Sequence, residues 1–264
     1  MVIKLTDTHC HLDFEELNQD LPQLLFQCQK LGIHRIIVPS IAPSNWQNVL
    51  SLTQDHNNIH LLAALGIHPW FLTDLREQSL DKLAQLVAQH QTKLCALGEM
   101  GIDLPISEKY DNLTKQLTFF EYQLALAKHY NLPVLIHHRR SHSLIITLLK
   151  KYQLTTAGII HGFSGSYQEA TQYLDLGFKL GVGGTITYSR AQKTIKTIKR
   201  VPLSSLVLET DAPAMPLYGF QGKHNTPLQL LNVFEQLVAI RNESAEEIAK
   251  QIEINCQQVF NLRG

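Results

Sequence analysis

Short apolar runs rich in Val, Ile and Leu recur about every thirty residues, and each is followed by a longer segment with helical spacing. Short strands that alternate with helices are typical of βα units around a parallel sheet. The pattern predicts eight strands, at residues 2–9, 34–40, 60–68, 93–99, 133–137, 158–161, 178–183 and 206–211. Eight such units in roughly 260 residues match the size of a closed (β/α)8 TIM barrel.

The helical segments between the strands fit this architecture. In 117–130, apolar positions such as Phe120, Leu124 and Ala127 fall three or four residues apart, which is the spacing of one helix face. Two further helical segments, 227–240 and 245–260, follow the eighth strand without a linker rich in Pro, Gly or Ser. We therefore expect one α/β barrel domain over residues 1–264.

Composition narrows the class of protein. With 264 residues and 44% hydrophobic residues, the chain can bury a sizeable core, which excludes disordered and fibrous proteins. The 23 Lys and Arg balance the 23 Asp and Glu, so anion recognition must be local.

A charge near the N-terminus and the lack of an apolar run of roughly 20 residues predict a cytoplasmic protein without membrane association. Scattered cysteines argue against disulfides and thiolate zinc sites; they are Cys10, Cys28, Cys95 and Cys256.

Metal-ligating residue types end five of the predicted strands, and barrel strand ends meet at one mouth. A single histidine there is more often a packing residue. Six residues of metal-ligating type together favour a metal site, because buried charged groups need partners. His9 and His11 can point at one ion, since side chains alternate along a strand. Six ligands exceed the need of one zinc ion, so we expect two divalent ions: Zn, Mn, Mg, Co or Ni. The six are His9, His11, Glu99, His137, His161 and Asp211.

Two of these carboxylates also have expected catalytic roles. Glu99 lies between the histidine groups and can bridge two ions, because a carboxylate has two oxygens whereas an imidazole offers one lone pair. Asp211 can bind one ion and take a proton from the attacking water.

Several motifs together make the chain resemble the TatD family of metal-dependent hydrolases over nearly its whole length. They are Asp7-Thr8-His9-Cys10-His11-Leu12, Gly66-Ile67-His68-Pro69, Gly98-Glu99-Met100-Gly101-Ile102-Asp103, Ile136-His137-His138-Arg139, His161-Gly162-Phe163-Ser164-Gly165 and Leu208-Glu209-Thr210-Asp211-Ala212-Pro213. The resemblance implies two metal sites that share Glu99: His9, His11 and Asp211 complete one, and His137 and His161 complete the other. It also implies phosphodiester hydrolysis, since characterised relatives are deoxyribonucleases.

The chain departs from the family pattern at three positions that would shape the pocket. His138 stands where relatives often have Ser, Gly162 where many have Cys, and Leu104 where Tyr is usual.

Substrate contacts are expected from residues beside the metal ligands. Arg139 could clamp a phosphate or pair with an internal carboxylate such as Asp103 or Glu209, and the two roles are equally compatible with the sequence. His68, at the third strand's end, could touch substrate. Basic residues over 190–200 could follow a nucleic-acid backbone, although a solvated helix face is the commoner role of such a pattern. We expect a substrate that is DNA or a small phosphodiester, with no obligate protein partner; the oligomeric state is left open.

Three functional hypotheses follow. The first is a phosphodiesterase, a TatD-type deoxyribonuclease, in which two ions activate a water. The second keeps the metals but cleaves an amide, lactone or cyclic imide; those amidohydrolases commonly place a carboxylated lysine on the fourth strand, where this chain has Glu99. The third is a non-catalytic barrel that binds nucleic acid or protein with structural metals, although structural sites tend to be closed and rich in thiolates.

Overall fold

The computed structural model describes residues 3–53, the backbone of 55–56, and residues 59–262. Eight parallel strands follow one another around the sheet in chain order, with helices between them. In chain order they are β1 (Leu5–Asp7), β2 (Ile33–Pro39), β3 (Ile59–Leu65), β4 (Leu94–Asp103), β5 (Val134–Arg139), β6 (Gly158–Ile160), β7 (Lys179–Val182) and β8 (Leu206–Leu208). A short strand, Asp55–His56, pairs antiparallel with β3. The predicted (β/α)8 TIM barrel is confirmed.

The barrel closes between its first and last strands, just beyond the regular part of each. The Thr8 amide donates to the Leu208 carbonyl over 2.9 Å, and the Asp211 amide donates to the His9 carbonyl over 2.8 Å. The buried Asp7 carboxylate accepts from the Thr210 hydroxyl and amide. Burial raises the pKa of Asp7 to about 7 although these hydrogen bonds lower it. Strand closure therefore fixes the positions of His9 and Asp211 relative to each other.

Helices surround the barrel and follow the predicted periodicity. They are α1 (Glu15–Asn18), α2 (Leu21–Lys30), α3 (Trp46–Leu52), α4 (Gln78–His90), α5 (Leu104–Tyr110), α6 (Leu113–Tyr130), α7 (His142–Tyr152), α8 (Tyr167–Asp175), α9 (Gln192–Arg200), α10 (Leu230–Ile240) and α11 (Ala245–Phe260). The predicted helix 245–260 has the bounds of α11, which begins with a reciprocal capping box between Ser244 and Glu247. Its Glu253 carboxylate accepts hydrogen bonds from Arg35 and Thr6, and this contact joins the last helix to the barrel.

Nearly all residues of the strands are buried and most are apolar, as expected where helices cover a parallel sheet. All ten residues of β4 are buried. None of the described helices is long and apolar enough to cross a membrane.

Three predicted strand ends lie three or more residues from the observed ends. β3 ends at Leu65 and not at His68, so His68 lies beyond the strand. β4 continues to Asp103, four residues beyond the predicted end, so Glu99 lies inside the strand rather than at its end. The strand continues because Met100 through Asp103 keep pairing with β5. β8 ends at Leu208, so Asp211 lies in the following loop. The predicted first strand began at Val2, which lies outside the described residues.

Candidate metal centre

Glu99 occupies the centre of a buried group of histidines, with its side chain only 3% exposed. Its Oε2 lies 3.0 Å from His9 Nε2 and 3.5 Å from His11 Nε2. Its Oε1 lies 3.3 Å from His68 Nε2 and 3.2 Å from His137 Nδ1. Each oxygen of one carboxylate therefore faces its own pair of imidazoles.

Asp211 completes the group on the Oε2 side of Glu99. Its Oδ1 lies 3.6 Å from His11 Nε2, 3.7 Å from His9 Nε2 and 3.4 Å from His161 Nε2. The rings of His9 and His161 stack with their centroids 3.6 Å apart. Asp211 is 17% exposed, so it is more accessible than Glu99.

Donor atoms within 4.8 Å of one another form three groups in the described chain. They are His9, Glu99 and His161; His9, His11 and Asp211; and His68, Glu99 and His137. The first two share His9 and the third lies on the other side of Glu99, so the donors are divided between two neighbouring positions.

Two further carboxylates orient the histidines from behind. Asp103 Oδ2 accepts hydrogen bonds from His137 Nε2 over 3.0 Å and from Trp70 Nε1 over 2.7 Å. Asp103 and Glu99 outweigh burial and raise the pKa of His137. In the neutral ring, a hydrogen bond to Asp103 in this direction leaves the Nδ1 lone pair facing Glu99. Glu209 Oε1 lies 3.1 Å from His161 Nδ1 and accepts from the Gly162 amide. Carboxylates behind ligating histidines are a usual feature of metal sites.

Gly181 leaves the space that Glu209 needs. A Cβ at this glycine would lie 2.1 Å from Glu209 Oε2, which is far inside contact distance. The seventh strand therefore approaches the eighth closely only because position 181 has no side chain.

Sequence reasoning missed these orienting roles: it considered Asp103 and Glu209 only as partners of Arg139. A usable signal was their spacing, because Glu209 comes two residues before Asp211 and Asp103 four residues after Glu99.

Burial and the neighbouring charges divide the histidines into two kinds. Burial lowers the pKa of His68 to about 4 and, with His161 nearby, also lowers the pKa of His9, so these rings are neutral and can donate a lone pair. Burial acts in the same direction on His11, but Asp211 and Glu99 outweigh it and raise its pKa to about 10.

The carboxylates show the complementary behaviour. Burial alone would raise the pKa of Glu99 and of Asp211, yet the surrounding histidines outweigh burial and hold both pKa values well below their usual range. The positive charge comes from His11, His137 and His161, because neighbouring carboxylates outweigh burial and raise the pKa of each of these rings. Buried carboxylates that stay ionised require positive charge beside them.

This donor set fits divalent metal ions. Imidazole nitrogens mixed with carboxylate oxygens suit zinc, manganese and cobalt. Within the described residues, Nδ1 of His9 and Nδ1 of His161 are buried without a hydrogen bond, so the hydrogen bonds of the protein leave two ring nitrogens in the group unused. The group therefore offers both the charge and the ligand atoms that such ions need.

The structure brings all six predicted metal-ligating residues into one cluster, but it distributes them differently from the ligand sets that the family resemblance implied. His161 lies on the side of His9 and Asp211, whereas His68 lies beside His137. His68, expected to touch substrate, is buried against Glu99. Arg139 is 54% exposed, and its Nη1 lies 4.0 Å from Asp103 Oδ2. These metal and substrate roles stay predictions.

Comparison with known proteins gives consistent results along the whole chain. A family model described as TatD-related DNase matches residues 6–261. The chain is 42% identical to the uncharacterized metal-dependent hydrolase YjjV of Escherichia coli over 262 residues, 99% of this chain and 100% of that protein. It is 40% identical to an uncharacterized metal-dependent hydrolase of Haemophilus influenzae over 259 residues, 97% of this chain and 98% of the relative.

Solved structures agree with this result. The crystal structure of Escherichia coli YjjV, a TatD homologue, superposes with a TM-score of 0.93 at 42% identity over 100% of both chains. A TatD-family hydrolase from Entamoeba histolytica shares the fold, with a TM-score of 0.86 at 22% identity over 98% of this chain and 99% of that chain.

Proposed function

The chain belongs to the TatD-related DNase family, a family of metal-dependent hydrolases, and we propose that it cleaves phosphodiester bonds in DNA. The observation that carries the proposal is the position of Glu99, whose two oxygens face separate pairs of histidines. A carboxylate between two sets of ligands suits a pair of adjacent metal ions, which is a common device of enzymes that displace phosphate esters.

The ligating side chains fall into two groups, and each group could hold one ion. His9, His11 and Asp211, with Oε2 of Glu99 and with His161 nearby, would hold one ion. His68 and His137, with Oε1 of Glu99, would hold the other. When bound, such ions supply Lewis-acid charge that offsets the negative charge growing on a phosphoryl group, and they acidify water.

The side chains around these positions have their own tasks. Asp211 is the more exposed of the two central carboxylates, so it can accept the proton of the attacking water. The exposed Arg139 guanidinium can donate to the non-bridging oxygens of the phosphate. Asp103 and Glu209 keep His137 and His161 in fixed orientations.

The identity of the fourth-strand residue favours phosphodiester cleavage over amide or lactone cleavage. Amidohydrolases with a similar barrel commonly bridge their metals with a carboxylated lysine on this strand, whereas Glu99 occupies it here.

The test is a substrate screen of protein reconstituted separately with Zn, Mn, Mg, Co and Ni. Single- and double-stranded DNA, RNA and small phosphodiesters are assayed beside amides and lactones. We expect turnover of DNA and phosphodiesters only. Turnover confined to amides or lactones would overturn the proposal, and DNA binding without turnover under every metal would support the non-catalytic alternative.

Asp211→Asn supplies the matched variant. It keeps the size of the side chain but cannot accept a proton, so we expect turnover to fall about 10²–10⁴-fold. Bound metal is measured on the same samples, because a loss of metal would otherwise mimic the loss of the base. Exposed Asp20, changed to Asn, is the control.

A further inference from the structure

A cavity of about 210 Å³ lies between the loops that follow β7 and β8. Its walls include Tyr188 and Ala191 from one loop and Met215 and Pro216 from the other, and Arg190 lies at its rim. Sites that enclose a whole drug-sized ligand have volumes of about 300–1,000 Å³. This cavity therefore suits a single ring system rather than a complete large ligand.

The two loops are fastened to each other, so the cavity is preformed. The Tyr188 hydroxyl donates to the Pro216 carbonyl over 2.7 Å, and the Tyr218 amide donates to the Thr187 hydroxyl over 2.9 Å. A Cβ at Gly184 would lie 2.9 Å from the Met215 carbonyl, so the loops touch along their backbones.

The cavity also has a fixed relation to the metal centre. Met215 follows Asp211 by four residues, a distance of chain that spans at most about 14 Å. The buried Asn225 side chain donates to the Thr210 carbonyl over 2.8 Å and to the Met215 carbonyl over 3.2 Å. The wall of the cavity is thus linked to the residue that precedes Asp211.

The charged residue among those that line the cavity is Arg190, although the chain as a whole is neutral. Residues 188–200 contain five Lys and Arg and no Asp or Glu, and residues 212–234 also contain no Asp or Glu. The Arg190 guanidinium lies 4.9 Å from the centre of the Tyr188 ring, so cation and aromatic face are adjacent. An apolar slot with a cationic rim complements a ligand that joins an aromatic ring to an anion.

We propose that this cavity binds the base of a nucleotide next to the bond that is cleaved, while Arg190 contacts the neighbouring phosphate. The proposal rests on the proposed phosphodiesterase function. Stacking of a base on an aromatic side chain accounts for about 1–3 kcal/mol. That energy corresponds to roughly 5- to 150-fold in affinity.

The test compares thymidine 5′-monophosphate with its stable abasic analogue, 1,2-dideoxyribose 5-phosphate, which carries hydrogen in place of the base. Their dissociation constants are measured by calorimetry on the metal-loaded protein. We expect the nucleotide to bind at least fivefold more tightly. Equal affinities would overturn the proposal. This experiment measures binding and not turnover. Equal affinities for the two probes together with DNA turnover would refute only the base site, whereas unequal affinities without turnover would refute only the phosphodiesterase function.

Variants then locate the base. Ala191→Phe fills the cavity and should remove the difference between the probes; an unchanged difference in folded protein would place the base elsewhere. Met215→Asn is the second variant, because Met215 is 46% exposed, its φ is 51°, and Asn tolerates this left-handed conformation. It should reduce the difference without unfolding the protein, and an unchanged difference would again contradict the proposal.

Charge variants separate the phosphate from the base. Arg190→Gln should weaken both probes by similar factors, because both carry the phosphate; a loss confined to the nucleotide would contradict this role. The control is Lys199→Gln, because Lys199 lies about 12 Å further along α9 than Ala191. This substitution should change the dissociation constant of neither probe.

Discussion

Asp103→Asn tests whether the carboxylate behind His137 prepares that ring for a metal ion. The substitution keeps the size of the side chain and its cap on α5, where Asp103 Oδ1 accepts from the Ile106 amide over 2.9 Å, because Asn caps helices as well as Asp does. What changes is the atom at the position of Oδ2, where Asn places an NH2 group that cannot accept from His137 or Trp70.

The magnitude follows from those bonds. A hydrogen bond to a charged group contributes about 1.5–3 kcal/mol, and the variant cannot make the bond from His137. Its loss should therefore weaken metal binding by about 1.5–3 kcal/mol, roughly 10- to 150-fold in metal affinity at about 1.4 kcal/mol per decade. This range overlaps the roughly 10- to 100-fold effect of partners behind metal ligands.

The assay is equilibrium dialysis against chelator-buffered zinc or manganese, with bound metal counted by mass spectrometry. The control is Asp20→Asn, since Asp20 caps α2 in the same way without touching a histidine. Circular dichroism melts show whether the fold is retained. If Asp103→Asn binds metal as tightly as the unaltered protein, His137 does not need this partner, and the orienting role assigned to Asp103 is wrong.

Three further predictions concern the closely packed strands, the metals and the thiols. Gly181→Ala should lower the free energy of unfolding in urea by about 1–3 kcal/mol and weaken metal binding, because its Cβ would overlap the Glu209 side chain. Gly183→Ala is the control, since a Cβ there would lie at an ordinary 3.5 Å from the same side chain. Equal effects of the two substitutions would contradict this reasoning. Removing metal with a chelator should lower Tm, measured by calorimetry, by about 10 °C relative to protein in free metal at about 1,000 times its Kd. An unchanged Tm would mean that the folded state binds no metal. Burial raises the pKa of Cys28 and Cys95 to about 12, so thiol reagents at pH 8 should modify neither residue within minutes unless guanidinium is added; rapid native labelling would contradict this burial.

Strand periodicity was sufficient to predict the barrel, because apolar runs separated by helices have few other ways to bury both faces of a sheet. Strand ends were less predictable. The extension of β4 to Asp103 depends on pairing with β5, which no local pattern in Gly101-Ile102-Asp103 reveals.

Convergence at the mouth was predictable for the same topological reason, and the six proposed ligands do lie together. The division of histidines between the two oxygens of Glu99 was not. It depends on rotamers and on which ring nitrogen a neighbour occupies, and those neighbours come from distant segments, as when Asp103 contacts Trp70.

The link between Asp7 and Thr210 also limits when the metal centre can form. His9 and His11 are synthesised first, yet they meet Asp211 only after about four-fifths of the polypeptide has been made. A nascent chain on the ribosome therefore carries the histidines without their partner carboxylate. Metal binding at the position of His9, His11 and Asp211 must wait until the two ends of the barrel have joined, and a truncated chain that stops before Thr210 should be unable to retain the ion assigned to that position.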